Sequence, residues 1–395
     1  MSQTTQSSAA QGANQASAAP RRRSFLGGML GVAAAVTLPG AALAPASSQV
    51  LGTMLSAPPQ SSATEADRSE WAAFRASFIS REGRVVDSAN NGISHSEGQG
   101  YAMLMAEWAD DRETFERLLN WTRGNLSRPR DALFAWRWSP DRQVARDMNS
   151  ATDGDIVIGW ALQRAAERWS VPAWRSMAEA IARDVLRLSV RQVAGRTVLL
   201  PGPFGFEKQE HVVLNPSYYN TPALRALARL APSPFWSKLE ADGQWLLATA
   251  RFGRWELPAD WIELNRRSGS VTPAAEWAPR FSWDAIRVPL FQAWAGESHA
   301  PALGAALNFW TNATPGRLPA WTDLRTGELA PYPGHAGVSA LATVSYNAKT
   351  GFSQQVAIPS VDRATDYYGA ALIMLARMAQ QEGPAAAQQQ LMAAL

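Results

Sequence analysis

From Asp67 to Met378 the chain repeats one pattern: apolar residues recur every three or four positions, and then a polar, Pro-bearing or Gly-bearing break follows. That period puts the apolar residues on one face of an α-helix. A chain made of such segments can bury those faces only by packing helix on helix. The pattern predicts helices over residues 67–80, 98–108, 111–126, 155–169, 172–188, 216–230, 234–250, 283–295, 300–311 and 364–378, with a shorter one over 338–342. Pro172, Pro216 and Pro234 stand at first turns, where a missing N–H costs nothing. Strand-like pieces such as residues 198–200 are short. The expected class is therefore all-α, built from helical hairpins. The breaks over 127–152, 190–215, 251–282 and 312–336 are long and carry Trp, Asp, Asn and Arg. Long loops on a rigid helical scaffold are where sites tend to lie.

The N-terminus reads differently. Residues 1–20 have no apolar period, and Arg21-Arg22-Arg23-Ser24-Phe25-Leu26 precedes an uncharged apolar run that ends in Ala42-Leu43-Ala44. A basic start, an apolar middle and a small-x-small end make a signal peptide. Its twin arginine fits the export route for folded proteins. Residues 1–44 are thus expected to be cleaved, residues 45–65 to form a Pro/Ser/Ala/Gln-rich linker, and residues 66–395 to be one domain, periplasmic or secreted. The Ala/Gln-rich end from residue 380 fits either a frayed helix or a disordered tail.

That reading changes the charge argument. Of 37 Lys and Arg, three fall in residues 1–44, which hold no acid; the 34 that remain face 34 Asp and Glu. A neutral mature domain gives no sign of nucleic-acid or membrane binding, and a monomer is expected. With no cysteine, disulfides, thiolate metal sites and cysteine nucleophiles are excluded. The four histidines, His95, His211, His299 and His335, are too dispersed to suggest a metal cluster, and no cofactor is expected. Gly-rich phosphate loops and zincin motifs are absent from the sequence. The 17 tryptophans hint at carbohydrate, whose C–H faces stack on indole rings.

Three acid-bearing segments stand at loop–helix junctions. In Ser94-His95-Ser96-Glu97-Gly98-Gln99-Gly100-Tyr101, Ser96 and Gln99 could form a capping box, with Glu97 near the positive helix end. Gly98 and Gly100 do not fit a purely stabilising role, because glycine weakens helices; they suggest a close approach to the backbone. Ala151-Thr152-Asp153-Gly154-Asp155 could likewise be an acidic N-cap. In Phe281-Ser282-Trp283-Asp284-Ala285-Ile286-Arg287, Asp284 and Arg287 could be a surface ion pair, or a carboxylate kept ionised by its neighbour. Glycoside cleavage needs two carboxyls in opposite protonation states, and these three segments could supply them.

Here the residues resemble glycoside hydrolase family 8. The segment from Ala151 to Trp169, ATDGDIVIGWALQRAAERW, is similar to that family's A-[ST]-D-[AG]-D helix, departing from it at Gly159 and Gln163. SEGQGY at 96–101, the Trp motif Ala135-Trp136-Arg137-Trp138, Leu214-Asn215-Pro216-Ser217-Tyr218 and WDAIR at 283–287 follow in family order, with Trp283 where Tyr is usual. The resemblance spans residue 71 to about 370. It implies an (α/α)6 barrel with long substrate-binding loops and an inverting endo-1,4-β-glucanase. Glu97 would be the general acid and Asp284 the general base. Tyr218 would position the water, and Asp153 would grip the sugar at the cleavage point. Trp136, Trp138, Tyr101, Asn215, Arg287 and Trp283 would bind substrate. Inversion implies acid and base roughly 6.5–9.5 Å apart. A helix N-terminus lowers a carboxyl's pKa whereas a general acid must hold its proton, so Glu97 is expected to be buried beside another carboxylate.

The expected substrate is a cellulose-like β-1,4-glucan, and export suggests trimming of an exopolysaccharide beside a cellulose synthesis complex. Xylan, mixed-linkage glucan and chitosan are the alternatives; a chitosanase would need extra acids, which a net charge of zero does not supply. A non-catalytic polysaccharide-binding protein is the reading from another class. It would have no use for an acid–base pair.

Overall fold

The computed structural model describes residues 63–145, 147–351 and 356–383. The expected signal peptide, all but the end of the expected linker, and the tail from residue 384 lie outside the described residues. Eleven α-helices occur among the described residues. They are α1 (Glu65–Phe78), α2 (Ser96–Trp108), α3 (Arg112–Leu126), α4 (Thr152–Trp169), α5 (Pro172–Leu188) and α6 (Thr221–Leu230). Then follow α7 (Pro234–Thr249), α8 (Arg287–Trp294), α9 (Pro301–Asn312), α10 (Ala336–Lys349) and α11 (Tyr367–Glu382).

Their packing closes a ring. Helix α2 packs on α4, α4 on α6, α6 on α8, α8 on α10, α10 on α11, and α11 returns to α2. Helices α1, α3, α5, α7 and α9 lie outside, against α11, α2, α4, α6 and α8. This is the (α/α)6 barrel, with six inner and five outer helices among the described residues. Burial follows position. Every residue of α8 is buried, as is α2 from Gly98 to Trp108, whereas α3 and α5 bury one stripe and expose charged faces. Away from the helix N-termini the ring is fastened by buried charge. Glu107 of α2 accepts from Arg164 and Arg168 of α4, and Arg164 also pairs with Glu382 of α11 at 2.7 Å.

Three helices depart from the expected boundaries for identifiable reasons. The segment expected as one helix over 216–230 is a 3-10 turn, Pro216–Tyr218, followed by a fresh start at Thr221. Pro222 cannot donate back to a preceding carbonyl, and Asn220 caps the new helix by accepting from the Ala223 amide. Helix α8 begins at Arg287 and not at Trp283, because residues 283–286 form turns in which Asp260 takes the amides of Asp284 and Ala285. Helix α10 is a full helix where only 338–342 was expected; its Ala- and Ser-rich face gave little apolar contrast to read.

Short antiparallel strands arrange the loops at the end where α2 and α4 begin. β1 (Ser94–His95) pairs with β2 (Arg137–Trp138), which ties the Trp136 loop to the start of α2. β3 (Val190–Val193) and β4 (Arg196–Leu199) form a hairpin. β5 (His211–Leu214), β6 (Ile262–Asn265) and β7 (Val271–Pro273) make a three-stranded sheet in which Leu214 is opposite Ile262. That register sets Asn215 and its turn beside Asp260 and Trp261. β8 (Arg280–Phe281) and β9 (Thr322–Asp323) hold the segment leading to Asp284.

Candidate active site

The first turns of α2 and α4 meet. His95, in extended backbone at the end of β1, caps α2 through Nδ1, which accepts from the Gly98 amide at 3.0 Å. Ser96 is therefore the first residue inside the helix and not its cap. Gln99 is not a capping partner either. Its amide turns inward, donating to Thr122 Oγ1 at 2.8 Å and accepting from the Val85 amide at 2.6 Å. Its side chain reaches buried groups that need partners, which outweighs a solvated cap. The glycines do mark close approach, but by protein. A Cβ at Gly98 would lie 2.8 Å from the Tyr367 hydroxyl, one at Gly100 would lie 3.2 Å from Ile158, and one at Gly154 would lie 2.7 Å from the Glu97 amide nitrogen. Gly154 lets the turn carrying Asp153 touch the turn carrying Glu97.

Arg287, only 2% exposed, gathers the three acids singled out in the sequence. Its Nη1 donates to Glu97 Oε2, to the Tyr101 hydroxyl at 3.1 Å and to Asp153 Oδ2 at 3.4 Å. Its Nη2 donates to Asp284 Oδ1 at 2.7 Å and to Ser217 Oγ at 2.9 Å. Ser217 in turn donates to Asn215 Oδ1 at 2.7 Å. Segments nearly two hundred residues apart in sequence thus meet on one guanidinium, whose planar fork suits several carboxylates at once. The pair Asp284–Arg287 is not the surface i,i+3 bridge that spacing alone allows.

The electrostatics divide the acids. Burial works to raise Glu97, but Arg287, His95 and hydrogen bonds from Asp153 and Arg287 outweigh it and hold Glu97 below the usual carboxylate range. Asp153 is pushed well above that range by burial and by the negative Glu97 beside it. Of the two, Asp153 is the carboxyl that its surroundings press toward the protonated form. Glu97 stands beside another carboxylate, as expected, but is half-buried where full burial was expected. Asp284 is raised by burial and by Glu97, against Arg287. Tyr218 is buried and raised well above its ordinary value by burial and by the charges of both Asp153 and Asp284.

The remaining residues separate by exposure. Tyr101, Asn215 and Arg287, expected to bind substrate, are buried and brace the carboxylates. Trp138 is buried beneath Arg84 and edge-on to Trp121. Trp136 is half-buried, its indole N–H donating to Asp147 at 2.7 Å. Trp283 is 47% exposed, stacked on His335 at 5.6 Å with edge-on contact to Tyr368. The sequence reading did not single out Asp260, Tyr368 or the ladder of Phe206, Trp261 and Trp277, whose rings lie within 16° of parallel beside Tyr218. The aromatics sat in loops where Trp is common. Asp260 carried no local pattern.

Comparison with known proteins follows from this geometry. The family model described as glycosyl hydrolases family 8 matches residues 45–382. A probable endoglucanase of Novacetimonas hansenii is 42% identical over 321 residues, covering 81% of this chain and 92% of that protein. An endoglucanase of Cellulomonas uda is 41% identical over 273 residues, covering 69% and 75%. The solved structure of an endo-β-1,4-glucanase from Acetobacter xylinum superposes with a TM-score of 0.76 at 41% identity, covering 81% of this chain and 99% of that one.

Proposed function

The chain belongs to glycoside hydrolase family 8, and from that premise we propose that it is an endo-acting glucanase that hydrolyses β-1,4-glucan with inversion. The observation that carries the reading is the arrangement of Glu97, Asp153 and Asp284 on the single buried Arg287.

Glu97 is the general acid and Asp284 the general base. In the free enzyme Asp153 keeps the proton; it passes to Glu97 across their hydrogen bond as the glucan fills the site. Glu97 then gives it to the leaving glycosidic oxygen as that C–O bond breaks. A water on the opposite face of the sugar, positioned by Tyr218, attacks the anomeric carbon and yields its proton to Asp284, which Arg287 favours as the ionised base. Asp153 also grips the sugar at the cleavage point. Trp283 and Trp136 are the stacking platforms, and the buried Tyr101 acts through Arg287. An inverting pair needs room for water, and acid and base on different Nη atoms of one guanidinium suit that need.

The test is reducing-sugar release from carboxymethyl-cellulose by the wild type, Glu97→Gln and Asp284→Asn. Wild-type activity with a loss of at least about a hundredfold in both variants, their folds intact, supports the roles; undiminished variants overturn them. Proton NMR of the first product must show the α-anomer. Activity on xylan, chitosan or mixed-linkage glucan alone would move the substrate assignment. Inactivity on all four would favour a binding protein.

Export as a periplasmic or secreted enzyme rests on residues 21–44 and is checked by mass spectrometry of the exported protein's N-terminus. Service beside an exopolysaccharide or cellulose synthesis complex follows from export with this activity. Deleting the gene would then alter the polymer's chain length or yield.

A further inference from the structure

Asp260 lies outside every segment that the sequence singled out, yet its carboxylate is more fully engaged than any of the three acids around Arg287. It is 7% exposed and stands just before β6. Oδ1 accepts from the amides of Ser282 at 3.0 Å, Asp284 at 3.2 Å and Ala285 at 2.8 Å, and Oδ2 accepts from the Ser282 hydroxyl. These are the donors of the turn that presents Asp284. Its own amide is fixed to the Arg280 carbonyl at 2.8 Å, which closes the clamp from the other side. Asp260 thus takes three amides of the turn ahead of α8, and an unpaired buried amide is costly.

We propose that Asp260 is a positioning residue for the base: it fixes the direction of the Asp284 carboxylate through the 282–285 turn. The inference rests on the glucanase reading only for the role of Asp284. The groups facing Asp284 are Arg287 at the start of α8, Glu97 on α2, Asn215 and Tyr218 at the 3-10 turn, Tyr368 on α11, and Asp260. Arg287 favours its ionised form; burial and Glu97 oppose it. Burial and the neighbouring Asp284 in turn push Asp260 up to about 7, against the hydrogen bonds that hold it down. The two acids therefore titrate as a pair. Asp260 touches no open surface from which it could contact a glucan.

The test is Asp260→Asn, which keeps the shape and removes the charge. The turn then loses its anionic acceptor and the base its aim, so kcat should fall about tenfold to a hundredfold with KM within about threefold of wild type. A merely structural role would lower Tm and leave kcat of the folded enzyme unchanged, and a kcat within about threefold of wild type overturns the proposal. Carbon-13 NMR of the Asp284 carboxyl, assigned with Asp284→Asn, is independent of turnover. In the wild type its titration should show two coupled steps, and a single step overturns the proposal even if Asp260→Asn fails to fold. Two steps in an enzyme inactive on every glucan would uphold the pairing and sink the glucanase reading instead.

Discussion

Gly154 presses on Glu97. A methyl group on Gly154 would lie 2.7 Å from the Glu97 amide nitrogen and nearer still to the Ser96 hydroxyl. The Glu97 amide and the Ser96 carbonyl carbon are backbone of one helix turn, so the added carbon cannot be absorbed by moving a side chain alone. Gly154→Ala must separate the first turns of α2 and α4, and with them Glu97 from Asp153. Overpacking of this kind costs about 1–3 kcal/mol. A displacement near 1 Å at the acid is expected to cost about a hundredfold in kcat. Urea unfolding and activity on carboxymethyl-cellulose check both effects, and a variant with wild-type kcat would show that the two turns need not touch.

Arg287→Met leaves Glu97, Asp153 and Asp284 buried without their counter-charge. Removing one partner of a buried ion pair typically costs about 3–5 kcal/mol. In the variant the three folded-state pKa values rise above their unfolded values. The sign follows: the penalty is absent where the carboxyls are protonated in both states, at low pH, and grows as pH rises through the usual carboxylate range. Chemical denaturation at pH 4 and pH 7.5 should therefore find the variant far closer to wild type at the lower pH. A pH-independent deficit would mean that Arg287 acts by packing alone.

Asp153 stands well above its ordinary value because of burial and Glu97. A carboxyl whose folded pKa is raised removes stability as pH climbs from its unfolded value, near 3.9, toward the folded one. Asp153→Asn lifts that burden while an amide can still accept from the Gly154 amide, as Oδ1 does at 2.8 Å. The variant should melt roughly 2–6 °C higher at pH 7, show no gain near pH 3.5, and lose activity by at least about a hundredfold because Glu97 no longer has a proton donor. Calorimetry at both pH values with an activity assay checks the trade, and a lower Tm at pH 7 would refute it.

The helices were legible because their periods are local. The site was legible only in pieces. Glu97, Asp153 and Asp284 each sat in a segment that capping or i,i+3 pairing explains as well as catalysis does, and no spacing in the sequence tells that one arginine joins them. Only the family resemblance grouped them. What the sequence hid altogether depends on the ring closing. Asp260 has no motif, because its partners are backbone amides of a turn that follows it by more than twenty residues. The proton of Asp153 is invisible in sequence for a similar reason: its pKa is set by burial and by a carboxylate on another helix. The expected capping box at Ser96 and Gln99 failed because His95 and the buried Gln99 network offer better-satisfied partners.

Trp283 stands next to the proposed base in sequence, and its ring is open to solvent where the family usually has tyrosine. It is 47% exposed, backed by His335 at an interplanar angle of 11°. Its backbone carbonyl, not its ring, accepts from the Tyr368 hydroxyl, so truncating the side chain leaves the Asp284 turn fastened. Burial keeps the imidazole below its ordinary pKa, against the charge of Asp366, and its ring backs the indole as a flat surface. Trp283→Ala should therefore remove binding that ground state and transition state share: KM for long glucans rises about fivefold to twentyfold, or about 1–2 kcal/mol, with kcat within threefold. Trp283→Phe should restore most of it, and Tm should move little because the ring is half in water. Steady-state kinetics on a series of cello-oligosaccharides checks this. A fall in kcat at constant KM would instead mean that the indole orients Asp284, and the platform assignment would pass to Trp136.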